Sequence, residues 1–247
     1  FFGKTGVGKS SLCNALFGQD VCEISDVEAC TRDPKEVVVS LGDKGIKLID
    51  VPGVGESQKR DSEYSKLYQK LLPELDVVLW VLKADDRAYT SDLNFYKNVV
   101  LPHLDQGKPF FFVLNQSDKI EPFREWDEDA KRPGPKQAIN LEAKIQSISD
   151  IFNYPSSKII QVSANEQYNL IKLIDEIVFA LPKEKQITFV NQVDEKNVSE
   201  ETGEIAKDSF ADTVIDTIID FVPIPPIIKG PIRKAAKYLL NKIRGWF

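Results

Sequence analysis

Two glycines, a lysine and a serine at set offsets make one short stretch of this chain suited to chemistry. The run Gly3-Lys4-Thr5-Gly6-Val7-Gly8-Lys9-Ser10 has the form GxxxxGK[ST]. A loop with this spacing turns successive backbone N–H groups toward one oxyanion, and the helix that follows aims its positive end at the same point. Glycines are needed because side chains would block that approach. Lys9 then supplies a mobile positive charge for β- and γ-phosphates, and Ser10 a hydroxyl that can ligate Mg²⁺. Phe1-Phe2 before the loop and Ser11-Leu12-Cys13-Asn14-Ala15-Leu16-Phe17 after it read as strand and helix, the context the motif requires. Lys4, Thr5, Gly6, Val7, Gly8, Lys9, Ser10 and Ser11 are therefore the expected phosphate-binding set.

Three further strings stand where such a loop needs partners. Asp50-Val51-Pro52-Gly53 closes a hydrophobic strand 40 residues after Ser10 (50 − 10), which suits Asp50 to hold Mg²⁺ and Gly53 to offer its N–H to a γ-phosphate. Asn115-Gln116-Ser117-Asp118 closes the Pro109–Leu114 run, and Ser163-Ala164-Asn165 closes the Lys158–Val162 run. Both strings fall on the sheet edge formed by the strands' carboxyl ends, where ligands bind in open α/β folds. An Asp carboxylate there accepts two hydrogen bonds from the N1–H and 2-amino group of guanine, a donor pair adenine lacks. Asp118 is thus the expected specificity residue, with the Ala164 N–H aimed at the guanine O6 and Asn115 tying the loops together.

The elements that must position these groups follow from patterning. Apolar runs at Phe1-Phe2, Glu36–Ser40, Ile46–Val51, Asp76–Leu82, Pro109–Leu114 and Lys158–Val162 alternate with helical stretches at Lys9–Phe17, Asp61–Leu72, Thr90–Leu104, Ala138–Phe152 and Leu170–Leu181. That alternation predicts an α/β, three-layer fold with a mostly parallel sheet. One connection, Leu41-Gly42-Asp43-Lys44-Gly45, is too short for a crossover helix, so one antiparallel strand is expected. The charged, proline-interrupted stretch Glu121–Gln137, which contains Trp126, reads as a solvated loop. Residues 1–182 make the expected nucleotide-binding domain, 183–207 a polar linker, and 208–247 a C-terminal helical hairpin. In that appendage Asp208, Asp212, Asp216 and Asp220 recur opposite Phe210, Val214, Ile218 and Phe221, and Pro223, Pro225 and Pro226 end the helix. A second helix then carries Ile232, Ala236, Leu239, Leu240 and Ile243 with basic residues on its other side.

Composition narrows the function classes. The net charge of −6 over 247 residues argues against general nucleic-acid affinity, yet residues 222–247 hold six basic residues and no acidic one. Cys13, Cys22 and Cys30 have neither metal-ligand spacing nor a disulfide framework and read as reduced thiols of a cytoplasmic protein. The absence of Met, and a start inside the first strand, predict that the chain begins short of the protein's own N-terminus. His103, the sole histidine, and Trp80 read as structural.

Taken together, these strings resemble the P-loop small GTPases of the Era/TrmE/septin-like branch over residues 1–182. Val27-Glu28-Ala29-Cys30-Thr31-Arg32-Asp33-Pro34, and Asn115-Gln116-Ser117-Asp118-Lys119 through Arg124-Glu125-Trp126-Asp127, resemble more specifically the bacterial YfjP/YeeP group. The resemblance implies a GTP-binding switch with GTP/GDP and Mg²⁺ as ligands. Lys9, Thr31 and Gly53 would be its catalytic groups, and Ser10, Thr31 and Asp50 its metal ligands. Thr31 would close over Mg²⁺ and the γ-phosphate in the GTP state and release after hydrolysis. Three departures shape the expected chemistry. Gln116 stands where the family usually has Lys, Val54 where many members place a water-orienting Gln, and Gly6 where potassium-activated members carry Asn. Because valine cannot polarise water, intrinsic hydrolysis is expected to be slow and to rise with a protein effector or a second copy of the chain. The alternative reading is a nucleotide-gated assembly or peripheral-membrane module acting through the basic amphipathic segment 228–247.

Overall fold

In this computed structural model the described residues are 1–18, 35–41, 44–50, 65–66, 68–104, 107–221 and 225–244. Val78–Lys83 (β3), Phe110–Asn115 (β4) and Ile159–Gln161 (β5) form a parallel sheet in the order β3-β4-β5. The register pairs Val78 with Phe110 and Phe112 with Ile159. Phe2 adds a single parallel bridge to Trp80 on the free edge of β3, with hydrogen bonds of 2.7 Å to the Leu79 carbonyl and from the Val81 N–H. Lys35–Leu41 (β1) and Lys44–Asp50 (β2) pair antiparallel as a two-stranded ribbon, from Leu41 opposite Lys44 to Lys35 opposite Asp50. Among the described residues this ribbon and the parallel sheet share no strand pairing.

The parallel strands are continuous apolar runs because both of their faces are covered. Side chains alternate between two cores. Val78, Trp80, Leu82, Phe110, Phe112 and Leu114 face one side, where they meet Thr90–Phe95 (α2) with the π turn Tyr96–Val100 that continues it, and Pro135–Phe152 (α3). Leu79, Val81, Phe111 and Val113 face the other, against Lys9–Phe17 (α1), Leu170–Ala180 (α4) and Lys183–Val190 (α5). The first core is dense in rings: Trp80 packs on Phe95 and Phe112 on Phe152 with the planes tilted by 52° and 50°, avoiding the face-to-face stack that aromatic quadrupoles disfavour. Trp80 is fully buried.

The segment expected to be a polar linker, 183–207, departs from that expectation. It forms α5 and a 3-10 turn at Glu195–Asn197, and Glu200–Phe221 (α6) has already begun before it ends. Its polarity misleads because its polar groups are spent on helix ends. The last carbonyls of α1 have no partners within the helix. They receive the Asp194 N–H (3.0 Å to Leu16) and the Asn197 side-chain amide (2.9 Å to Ala15). Phe189 and Val193 enter the second core. Ser199 caps α6 by accepting the Thr202 N–H at 3.1 Å, and both hydroxyls donate to Asp175 of α4 at 2.8 and 2.5 Å.

Pro226–Arg244 (α7) follows. Asp212 pairs with Lys237 (2.9 Å), Asp216 with Arg233 (2.8 Å), and Asp220 with Arg233 (2.9 Å) and Lys229 (3.5 Å). Each four-residue step along α6 matches a four-residue step back along α7. The acidic and basic rows therefore face each other.

Candidate functional site

The carboxyl ends of β3, β4 and β5 share one edge of the sheet, and the loop after Phe2 rises on the same edge because Phe2 runs parallel to β3. That loop is built on left-handed glycines. Gly8 has φ of 86° and is the residue before α1, and a Cβ there would lie 2.6 Å from the Asn115 side-chain nitrogen. Gly3 has φ of 135°, and a Cβ there would lie 2.3 Å from the Val81 carbonyl oxygen. Both positions exclude any other residue without displacement of backbone or of a buried partner.

Lys9 opens α1 and is buried, with its Nζ 3.3 Å from the Gly3 carbonyl and 3.2 Å from that of Lys4. Its ammonium thus lies within the curl of the loop. The first turn of α1 holds no acidic residue of its own, so nothing within the helix opposes the positive charge of its start. Ser10 and Ser11 follow in the same turn, half-buried, and Thr5 and Gly6 are exposed at the rim. Lys4 points the other way. It forms ion pairs with Asp92 (2.6 Å) and Asp86 (3.2 Å), and donates to the Ala88 carbonyl. Asp92 is buried and also accepts from the Trp80 indole N–H at 3.3 Å. Burial raises the Asp92 pKa, and its bonds to Lys4 and Trp80 offset that only in part.

Asn115, 1% exposed, joins three loops. Its Nδ2 donates to the Val7 carbonyl at 3.0 Å and more weakly to that of Gly8 at 3.4 Å, and its Oδ1 accepts the Ala164 N–H at 3.1 Å. The tying role expected of Asn115 has this geometry. For Ala164 the structure modifies the expectation, because the N–H meant for a base oxygen is already engaged by Asn115. Gln116 adopts φ of 60° and donates to the Gly6 carbonyl at 3.3 Å, a second tie to the glycine loop. Ser163 is buried, pairs with Tyr168 through two backbone bonds, and accepts the Glu166 N–H on its hydroxyl. The Oδ1 of Asp118 is buried with no hydrogen-bond partner among the described residues. A buried carboxylate oxygen left open is what a base with a donor pair would satisfy.

Thr31 and Gly53 lie outside the described residues, as do Val54 and the expected linkage of Asp50 to a metal; of Asp50 the backbone is described, at the end of β2. Among the described residues no cluster of His, Cys, Asp and Glu could hold a metal ion.

The family described as "50S ribosome-binding GTPase" matches residues 1–116. The protein YkfA of Escherichia coli (strain K12) is 40% identical over 235 residues, which is 94% of this chain and 78% of YkfA. This chain belongs to the P-loop GTPases. YfjP of the same organism is 38% identical over the same shares of the two chains. Among solved structures, Aquifex aeolicus Era bound to GDP and AlF4⁻ is similar, with 29% identity and a TM-score of 0.57. The match covers 73% of this chain and 55% of that Era chain. As a P-loop GTPase the chain carries the fold and the glycine loop of that family, and the resemblance to the YfjP group read from residues 27–34 and 115–127 holds.

The charged stretch Glu121–Gln137 is the largely exposed loop expected, with only Gln137 buried at its end, and what sequence reasoning passed over is the set of hydrogen bonds that fix its course. Asp127 and Arg132 exchange backbone hydrogen bonds of 3.0 and 3.2 Å, Asp127 caps the turn through Ala130, and Glu125 accepts the Lys136 N–H at the start of α3. Gly134-Pro135, a cap glycine followed by proline at the first helical position, was the signal available.

Proposed function

We propose that the chain is a GTP-binding switch with slow, Mg²⁺-dependent hydrolysis to GDP and phosphate. The observation that carries this reading is Asn115, which binds the glycine loop and the Ser163-Ala164 loop at once and so makes the phosphate and base halves one site. Within it Lys9 holds the β- and γ-phosphates, and the loop N–H groups with the positive end of α1 stabilise charge on the γ-phosphate during in-line attack by water. Asp118 accepts from the guanine N1–H and 2-amino group. Bound Mg²⁺ supplies neutralisation of phosphate charge, and Ser10, Thr31 and Asp50 are its proposed ligands. Thr31 and the Gly53 N–H act on the γ-phosphate. Val54 leaves the attacking water without an orienting amide, so turnover rises when an effector or a second copy of the chain brings one.

The same reading makes the β1–β2 ribbon the antiparallel edge of the sheet, supported by its pairing and by the contact of α5 with β2. It makes α6 and α7 a hairpin that moves as a unit, supported by the three acidic positions matched to three basic ones. Residues 1–182 are the GTP-binding domain in this scheme. That pairing weighs against the membrane reading of 228–247, because Lys229, Arg233 and Lys237 already face carboxylates. Among the described residues no helix is long and apolar enough to cross a bilayer.

Titration of the purified chain with labelled GTP, GDP and ATP, with and without Mg²⁺, tests the proposal. Guanine nucleotides should bind and ATP should not compete. Equal competition by ATP, or nucleotide retention unchanged in Lys9→Ala, would refute it.

A further inference from the structure

The loop that presents Asp118 is held from behind by residues outside the recognised motifs. Gln137, wholly buried in the first turn of α3, donates from Nε2 to the Asp118 carbonyl (2.9 Å) and the Ile120 carbonyl (3.0 Å). Both acceptors are carbonyls, which settles the orientation of the amide. One turn on, Asn140 donates to the Glu121 carbonyl at 2.6 Å. The backbone of Asp118 is therefore anchored to a long, rigid helix rather than to its own short turn.

The chain between these anchors, 121–134, crosses to the second base-reading loop. The Trp126 ring meets the Tyr168 ring edge-on, with centroids 5.4 Å apart. Tyr168 in turn closes the 163–168 loop through its backbone bonds with Ser163 at 3.2 and 3.0 Å, and its hydroxyl accepts from Gln161 at 3.3 Å. The strap is pinned where it returns to α3, because a Cβ on Gly134 would lie 2.3 Å from the Glu125 carbonyl oxygen. Asp118 Oδ1 and Trp126 Nε1 are both buried and have no hydrogen-bond partner among the described residues. The two loops that flank the base thus share one external brace.

We propose that Gln137 and Trp126 are positioning residues for purine recognition, setting the Asp118 carboxylate and the 163–168 loop at the spacing that a base with adjacent N1–H and 2-amino donors requires. Neither touches the base. This inference rests on the guanine reading of Asp118. Its logic is that a hydrogen-bonded carboxylate discriminates between bases only while its position is held to a fraction of an ångström.

Calorimetric titration of the full chain with GDP, inosine diphosphate and ADP reads this out. Inosine diphosphate lacks only the 2-amino group, so the ratio of its dissociation constant to that of GDP isolates the placement of the carboxylate. In the unmodified chain that ratio should be about 10 or more, the size of one hydrogen bond to a charged group. Gln137→Leu should weaken GDP by about 10-fold and inosine diphosphate by much less, so that the ratio falls toward 1. Trp126→Ala should lower the ratio by about 3-fold, a smaller effect because it acts through Tyr168. A role confined to stability would move both affinities together and leave the ratio intact, and that result in both variants would overturn the proposal. If Gln137→Leu melts before the assay temperature, Trp126→Ala decides alone. Equal affinity of the unmodified chain for GDP and ADP would overturn the guanine reading itself, whereas guanine preference with an unmoved ratio would overturn this inference alone.

Discussion

Asn115 is the position where the site is most exposed to a single change. Replacing it with Ala removes the bond to the Val7 carbonyl (3.0 Å), the bond from the Ala164 N–H (3.1 Å) and the longer one to Gly8 (3.4 Å). Val7 and Ala164 are 4% and 7% exposed, so the groups left behind cannot simply turn to water. Each buried orphan costs about 1–3 kcal/mol. Water entering the space left by the amide recovers part of this, so about 2–4 kcal/mol is expected for the two shorter bonds together. For a chain of this size that lowers Tm by roughly 5–15 °C. Whatever part is felt as loop disorder rather than unfolding weakens GDP by about 10-fold for each 1.4 kcal/mol. Asn115→Asp is the sharper control. It keeps an acceptor for Ala164 but turns a carboxylate toward two carbonyl oxygens, so it should be less stable than Asn115→Ala. Urea denaturation and calorimetric GDP titration measure both arms. Asn115→Asp matching the unmodified chain within about 0.5 kcal/mol would show that the three-loop junction is not what holds the site.

Other outcomes follow from the same geometry. Gly8→Ala, forced to φ of 86° with a Cβ 2.6 Å from the Asn115 nitrogen, should destabilise by about 1–3 kcal/mol in urea and displace the start of α1, and an unchanged melting curve would contradict it. Burial alone would depress the Lys4 ammonium, but the Asp92 and Asp86 carboxylates more than offset it, so its folded pKa lies above the ordinary lysine value. A raised lysine stabilises fully below the unfolded pKa of about 10.4 and loses that contribution as pH rises through the folded value. Urea stability measured from pH 8 to 12 should therefore fall more steeply for the unmodified chain than for Lys4→Met at the alkaline end, and parallel curves would refute the pairing. At the hairpin, the chain should not sediment with anionic vesicles at physiological salt, while joint replacement of Asp212, Asp216 and Asp220 by Asn should release Lys229, Arg233 and Lys237 and promote sedimentation. Strong sedimentation of the unmodified chain would favour the membrane reading instead.

The two kinds of expectation that fared differently rest on different physics. Gly3, Gly8 and Lys9 were legible because a left-handed backbone and a close approach are local demands that few residue types meet. The strands β3 and β4 were legible because burial on both faces requires an unbroken apolar run. The sequence 183–207 and the course of the stretch 121–137 were not, because their order comes from polar groups whose partners lie far along the chain. Asn197 serves the carbonyl of Ala15, and Gln137 serves that of Asp118. A side-chain amide that caps a distant helix or braces a distant loop has the same composition as one that faces water.

By itself the sequence determined that this chain folds a glycine-rich loop between an extended Phe2 and a helix, and that Asn115, Asp118 and Ala164 would stand at or just beyond the ends of neighbouring strands. Those are consequences of spacing and periodicity, which act over a few residues. Tertiary structure alone decided that Asn115 spans to Val7 and Ala164, that Lys4 turns to the buried Asp92, and that a strap through Trp126 reaches Tyr168 of the 163–168 loop. Hydrogen bonds and ring contacts between distant residues are specified by where the sheet and helices bring them, and no local pattern encodes that meeting.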